Sequence, residues 1–325
     1  MSAFVTHGGR LDEACAHFGG DPADWLDLST GINPCSWPGV DAIQLDWRAL
    51  PDAGALRRLE EAAAAHFGAD PALCCAVPGS EAGLRALGRI LDMPARHVPL
   101  AYGTYAKAFA SPSPDHAGPT ALIVANPNNP DGRLCPREYL LHALERQQRG
   151  GGWLIADEAF ADCHPDASIA GYVANGRNLV VTRSFGKFFG LAGVRLGFVL
   201  APAPLLAELR KLQGDWPVCS AALALGTKAY ADTRWIDATR AGLPEDARRL
   251  DAVLTRHGLH PAGACPLFRL VATPNAAGMF ASLARAHILT RPFENYPRLL
   301  RFGLPTDERQ FARLDAALAS CSRDG

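Results

Sequence analysis

Lysine is scarce in this chain of 325 residues: Lys107, Lys187, Lys211 and Lys228 are its only four, against a large arginine content. An excess charge of one sign is also missing. A net charge of −1 with both signs interspersed offers no basic field to nucleic acid or to an anionic membrane surface, so neither partner is expected. No run approaches the ~18 to 20 apolar residues that cross a bilayer. Met1 to Arg10 lacks the basic start and apolar stretch of a secretory signal, and a cytoplasmic protein is expected. The nine cysteines are odd in number and scattered, with Cys74 and Cys75 adjacent and no repeated CxxC pair, which argues against a disulfide framework and against a metal site. Internal repeats and low-complexity tracts are absent as well.

What is present suits a globular protein. With 48% hydrophobic residues the chain can bury a sizeable core in one large domain or two. Short Val, Ile and Leu runs at Leu122 to Ala125, Trp153 to Ala156, Leu179 to Thr182 and Gly197 to Leu200 alternate with helical patterns at Ala55 to His66, Glu81 to Leu91 and Pro136 to Gln148. Continuous apolar runs are what strands buried on both faces require, so the fold class is α/β, a doubly wound domain on a mostly parallel sheet. After about Ala203, Ala-, Leu- and Arg-rich helices lead to strand candidates at Leu267 to Ala272, His287 to Arg291 and Leu299 to Leu304, and Thr306 to Glu308 opens a last helix. The expected division is an irregular N-terminal arm over 1–40, a large domain over 41–205 and a small α+β domain over 206–325.

Five features lie in the chain order that an α/β ligand site requires, since ligands gather beyond the carboxyl ends of parallel strands. Lys187 sits in the run Ser184 Phe185 Gly186 Lys187 Phe188 Phe189 Gly190 Leu191 Ala192 Gly193 Val194 Arg195 Leu196 Gly197. A lysine amine can form a Schiff base with an aldehyde, and the Ser184 hydroxyl and Arg195 guanidinium suit a phosphate. Pro78 Gly79 Ser80 Glu81 leads into a helix whose first amides can also receive phosphate, although such a sequence equally makes an ordinary turn and cap. Tyr102 could lie on an aromatic ring or simply pack. Asn126 Pro127 Asn128 Asn129 Pro130 Asp131 Gly132 follows a strand and reads as a turn on composition alone. Asp157 ends an apolar strand, where a carboxylate costs several kcal/mol to bury unless it is paired.

Together these features resemble the fold-type-I pyridoxal-phosphate enzymes of the aminotransferase superfamily over essentially the whole chain. The resemblance implies pyridoxal 5'-phosphate as cofactor, bonded through its aldehyde to Lys187. It places Asp157 at the ring nitrogen, Asn129 at the phenolic oxygen facing the substrate and Tyr102 on the ring face. Ser184, Arg195 and the amides of Gly79 and Ser80 would hold the phosphate. It also implies a homodimer.

Both ends narrow the resemblance. Thr6 His7 Gly8 Gly9 Arg10 and Trp25 to Pro34, with His287 to Arg291, Asn295 to Pro297 and Leu300 to Gly303, are similar to the threonine-phosphate decarboxylases of cobalamin biosynthesis. That implies decarboxylation of L-threonine O-3-phosphate to (R)-1-aminopropan-2-ol O-phosphate. Arg301, with Asn33, would take the substrate carboxylate, and Arg291, with His7 and the Gly8 and Gly9 amides, the substrate phosphate. Phe160 stands where most transaminating relatives carry a tyrosine, which sets the chain apart from the histidinol-phosphate aminotransferases. Those enzymes are the alternative reading. Gly186 replaces the Ser or Thr that many relatives place before the lysine, so one phosphate hydroxyl is expected to be missing.

Overall fold

A computed structural model describes Phe4 and residues 7–321. Thr6, part of the N-terminal motif, lies outside the described residues. In chain order the elements begin with α1 (Leu11–Phe18), β1 (Leu26–Asp27), α2 (Ala53–Phe67), β2 (Cys74–Val77), α3 (Ser80–Leu91), β3 (Ala95–Arg96), α4 (Tyr105–Ala108) and β4 (Ala121–Ala125). They continue with α5 (Arg137–Arg149), β5 (Trp153–Asp157), β6 (Leu179–Ser184), α6 (Phe185–Phe188), β7 (Gly197–Leu200), α7 (Ala203–Gln213), α8 (Ser220–Ala231) and α9 (Thr233–Arg256). The chain closes with β8 (Phe268–Ala272), α10 (Ala276–Arg285), β9 (Ile288–Leu289), β10 (Arg291–Pro292), β11 (Leu299–Gly303) and α11 (Glu308–Cys321).

Two compact units form, one of residues 36–129 and 134–238, the other of 1–35, 130–133 and 239–325. The larger unit therefore extends well past the domain boundary expected at residue 205. Leu205, Leu206 and Leu209 of α7 are buried in the same core as the sheet, and α8 packs on α2. Composition alone could not distinguish such helices from those of the other unit.

The larger unit is built on a six-stranded sheet in the order β2-β7-β6-β5-β4-β3. Strands β3 to β6 run parallel, while β7 is antiparallel to both β6 and β2. Strand β6, fully buried, and β5, buried beyond Trp153, carry the expected apolar runs, and helices cover the faces. The end of α2 shows how sequence sets local structure: Asp52 accepts the Ala55 amide as its N-cap, and Gly68 in the left-handed region closes its last turn. Register then does the positioning. Ala125 lies opposite Asp157 and Asp157 opposite Thr182, so the ends of β4, β5 and β6 deliver the asparagine loop, the aspartate and Ser184 to one edge.

The smaller unit holds a three-stranded antiparallel sheet, β10-β11-β8, and a parallel pair, β1 with β9. The single strand expected over His287 to Arg291 is two short ones in different sheets, because the chain turns off one and onto the other around Thr290. The arm is not wholly irregular either. Residues 11–18 form a helix whose first turn carries Asp12 and Glu13 against its positive end.

Candidate functional site

In the larger unit a cavity of about 160 Å³ opens at the carboxyl edge of the sheet, lined among others by Gly79, Ser80, Tyr102, Asn129, Asp157, Ser184, Lys187 and Arg195. Every residue expected to bind the cofactor lines this one cavity.

One end of it is a cradle that only glycine permits. Gly79 caps α3 with φ +92°, and a Cβ there would stand 2.7 Å from the Arg195 guanidinium. Gly197 is equally constrained, since a Cβ on it would collide with the Ser80 nitrogen. The twelve-residue α3 thus begins with amides and dipole facing the cavity, beside the Arg195 charge and the Ser184 hydroxyl. Gly186, the departure from the common Ser or Thr, has a packing cause: a Cβ would meet Ala192 Cα at 2.5 Å.

At the other end Asp157 is buried and accepts three hydrogen bonds. The Tyr105 hydroxyl donates to Oδ2 at 2.6 Å, and the Thr182 hydroxyl and Ala159 amide donate to Oδ1 at 3.0 and 3.2 Å. Burial pushes its carboxyl above the usual range, and these donors act against that rise. The asparagine loop is tied to the same strand end, since the Asn126 amide donates to the Asp157 carbonyl at 2.9 Å and its side chain both accepts from and donates to Cys135. Asn128 donates to the Leu100 carbonyl, leaving Asn129 as the loop asparagine on the cavity wall. Tyr102 lines the cavity with its hydroxyl donated to Glu81 at 3.1 Å, and burial pushes that phenol up to about 12. Tyr105, Thr182 and Glu81 are the side chains that sequence reasoning missed. Tyr105, three residues after Tyr102, was the only one with a signal in the sequence.

Directly behind the strand ends lies a buried ionic cluster. Arg183 Nη1 donates to Glu158 at 2.9 Å and Nη2 to Asp162 at 2.5 Å, with the guanidinium 4.3 Å above the Phe67 ring. Arg183 directly precedes Ser184 in the chain, and Glu158 directly follows Asp157. The cavity residues in front of this cluster offer helix-start amides with a guanidinium and a hydroxyl, a buried carboxylate and a lysine amine, a donor set that fits the phosphate, ring nitrogen and aldehyde of pyridoxal phosphate.

In the smaller unit Arg291 and Arg301 are direct partners across β10 and β11, both buried. Arg291 Nη1 donates to the Phe4 carbonyl at 2.7 Å, and Arg301 Nη2 to the Ser29 carbonyl at 2.9 Å. Burial, followed by the Arg291 charge, pushes the Arg301 guanidinium down to about 10, so it remains charged at neutral pH and a bound anion would offset the repulsion from Arg291. Gly8 packs tightly on Ser29, whose carbonyl oxygen occupies the space a Cβ would need. The Gly9 amide, expected to face a phosphate, instead donates to Ser29 Oγ at 2.7 Å, because that hydroxyl gives its own proton to Asp27 and has lone pairs to spare. Asn33 accepts the Cys35 amide at 3.0 Å, and His7 is exposed.

Comparison with known proteins agrees with this geometry. Residues 99–314 match the model for aminotransferase class I and II. The chain is 42% identical to a threonine-phosphate decarboxylase of Sinorhizobium sp, covering 98% of this chain and 99% of the relative. It is 43% identical to one of Pseudomonas aeruginosa, covering 97% of each. Its fold superposes on a histidinol-phosphate aminotransferase of Sinorhizobium meliloti in complex with pyridoxal-5'-phosphate with TM-score 0.84, at 19% identity, over 97% of this chain and 94% of that one. On its glycine cradle, its lysine and aspartate in one cavity, and these likenesses, the chain belongs to the aminotransferase class I and II family.

Proposed function

We propose that this chain is a pyridoxal phosphate-dependent carboxy-lyase that converts L-threonine O-3-phosphate to (R)-1-aminopropan-2-ol O-phosphate in cobalamin biosynthesis. The observation that carries the reading is the Arg291–Arg301 pair, two buried guanidiniums in direct register for a substrate with two anionic groups. The near-full-length relatives named for this reaction support it.

When bound, pyridoxal phosphate supplies the sink for the electron pair left by the departing carboxylate. The remaining work belongs to side chains of this protein. Gly79, Ser80, Ser184 and Arg195, which line the cavity, would hold the phosphate, Tyr102 would take the ring and Asn129 the phenolic oxygen. Lys187, the one lysine on the cavity wall, would hold the cofactor through its aldehyde, and its freed amine would be the group placed to carry a proton to the substrate carbon. Asp157, held by the Tyr105 and Thr182 hydroxyls, would keep the ring nitrogen protonated. Arg301 with Asn33 takes the carboxylate, and Arg291 with the His7 and Gly8 segment takes the phosphate, orienting the bond that breaks. Phe160 lines the cavity without a phenol, so Asn129 acts without a tyrosine partner there.

The active form we propose is a cytoplasmic homodimer. Trp47, Leu50 and Trp216 are exposed large apolar groups on the larger unit, the last lining an apolar groove, and their exposure supports that reading. The deciding test is carbon dioxide release from L-threonine O-3-phosphate by purified, cofactor-loaded protein with no keto acid present. Release with aminopropanol phosphate as product, lost in Lys187→Ala, is the expected result. No release, with glutamate formed from histidinol phosphate and 2-oxoglutarate, would make the chain an aminotransferase.

A further inference from the structure

Asp157 is nearly dry, with 5% of its surface exposed, and a carboxylate in that position tends to take up a proton. Its two oxygens are served differently. Oδ1 receives the Thr182 hydroxyl at 3.0 Å and the Ala159 amide at 3.2 Å, whereas Oδ2 receives the Tyr105 hydroxyl at 2.6 Å, the shortest of the three. Tyr105 is held for this contact. It opens α4, is 1% exposed, meets the Tyr102 ring edge-on at 5.8 Å and lies tilted against His97 at 5.7 Å. Burial and the Asp157 charge push its phenol well above the usual range, so it acts as a donor across the working pH. The other titratable groups bearing on Asp157 are Lys187, which favours its charge, and Tyr102, which is neutral at working pH.

We propose that Tyr105 is a positioning residue of the cofactor site, its hydroxyl keeping the Asp157 carboxylate ionised and fixed, and thereby setting how strongly the protein holds a protonated pyridine nitrogen. The inference rests on the reading of Asp157 as the ring-nitrogen partner. No step of the reaction passes through Tyr105 itself. The sign follows from linkage: a donor to the ionised carboxylate lowers its pKa, so removing that donor moves protonation of Asp157 to higher pH.

The test is a titration of Tyr105→Phe with pyridoxal phosphate, followed by absorbance and fluorescence from about pH 5 to 9, so that the direction of any pH dependence can be read. It is repeated with the 1-deaza analogue, which lacks the ring nitrogen, and in an Asp157→Asn background. Tyr105→Phe is expected to weaken pyridoxal phosphate binding about tenfold, the scale of one hydrogen bond to a charged group, with the loss growing on the acid side. With the analogue, or in the Asp157→Asn background, the loss should shrink to about twofold or less, because the coupled partner is gone. Thr182→Val should act in the same direction more weakly, and it keeps the idea testable if the phenylalanine variant fails to fold. Equal losses with both cofactors and both backgrounds would make Tyr105 a packing residue only, and an unchanged affinity would also overturn the proposal. If wild-type protein binds the analogue as tightly as the natural cofactor and Asp157→Asn changes nothing, the ring-nitrogen reading falls and takes the inference with it.

Discussion

Arg183→Met tests whether the ionic cluster behind the strand ends supports the site. Arg183 is the shared cation of two carboxylates: Glu158, also held by the Ser168 hydroxyl at 2.5 Å and the Ile169 amide at 2.7 Å, and Asp162, which also meets His66 Nε2 at 2.9 Å. All three are buried, and methionine keeps much of the arginine's bulk while leaving two carboxylates without their main counter-charge. Breaking a buried pair from one side costs about 3–5 kcal/mol, the penalty of the stranded charge. At roughly 2–4 °C per kcal/mol for a unit of this size, the melting temperature should fall by about 6–20 °C at neutral pH. The pH dependence carries the sharper test. Burial pushes the Asp162 carboxyl up, but Arg183 and His66 outweigh it and hold the group down to about 2. A depressed carboxyl contributes stability above its unfolded value of about 3.9 that disappears as pH falls towards the folded one. Without Arg183 that contribution is gone and both carboxyls protonate more readily, so the difference between variant and wild type should narrow as the solution is acidified. Near-UV circular dichroism melts at a series of pH values would measure it. A deficit below about 1 kcal/mol, or one that does not change with pH, would refute the reasoning. So would a triple variant, Arg183→Met with Glu158→Gln and Asp162→Asn, that recovers nothing, since removing the stranded charges should restore most of the loss.

Gly79→Ala combines a left-handed backbone with a Cβ 2.7 Å from Arg195, and should weaken cofactor affinity roughly tenfold or more in a fluorescence titration. Gly186→Ser should lower the melting temperature without tightening cofactor binding, because its Cβ meets Ala192 before the hydroxyl can reach a phosphate. Arg291→Ala is expected to raise KM for L-threonine O-3-phosphate about ten- to a hundredfold while barely changing that for plain threonine. Equal effects on both substrates would remove Arg291 from the phosphate.

Strands β4, β5 and β6 were legible because their largely buried residues read as apolar runs, whereas the two-residue β3, which ends in the exposed Arg96, carries no such run. Strand β2 was not legible either, since Cys74, Cys75 and Ala76 carry little strand preference. It is held instead by pairing with β7 and by the buried Glu60, which accepts the Ala76 amide and the Arg210 guanidinium. Helix α1 went unseen because the glycines and prolines on either side of it dominate the local composition. The division at residue 238 was also hidden, because it falls inside the continuous helix α9.

The sequence by itself determined the chemistry available here: a lysine in a glycine-rich turn, an aspartate closing an apolar strand, an asparagine loop and two arginines ten residues apart. Those residues announce themselves because each is an exception to its local pattern. Tertiary structure decided which groups tune them. Tyr105 reaches Asp157 across 52 residues, Arg183 reaches Glu158 across 25, and Ser29 takes the Gly9 amide across 20. A tyrosine, an arginine and a serine are unremarkable in the chain, and a hydrogen bond between groups so far apart exists only once strand register and burial have brought donor and acceptor within about 3 Å and removed the water that would otherwise satisfy both.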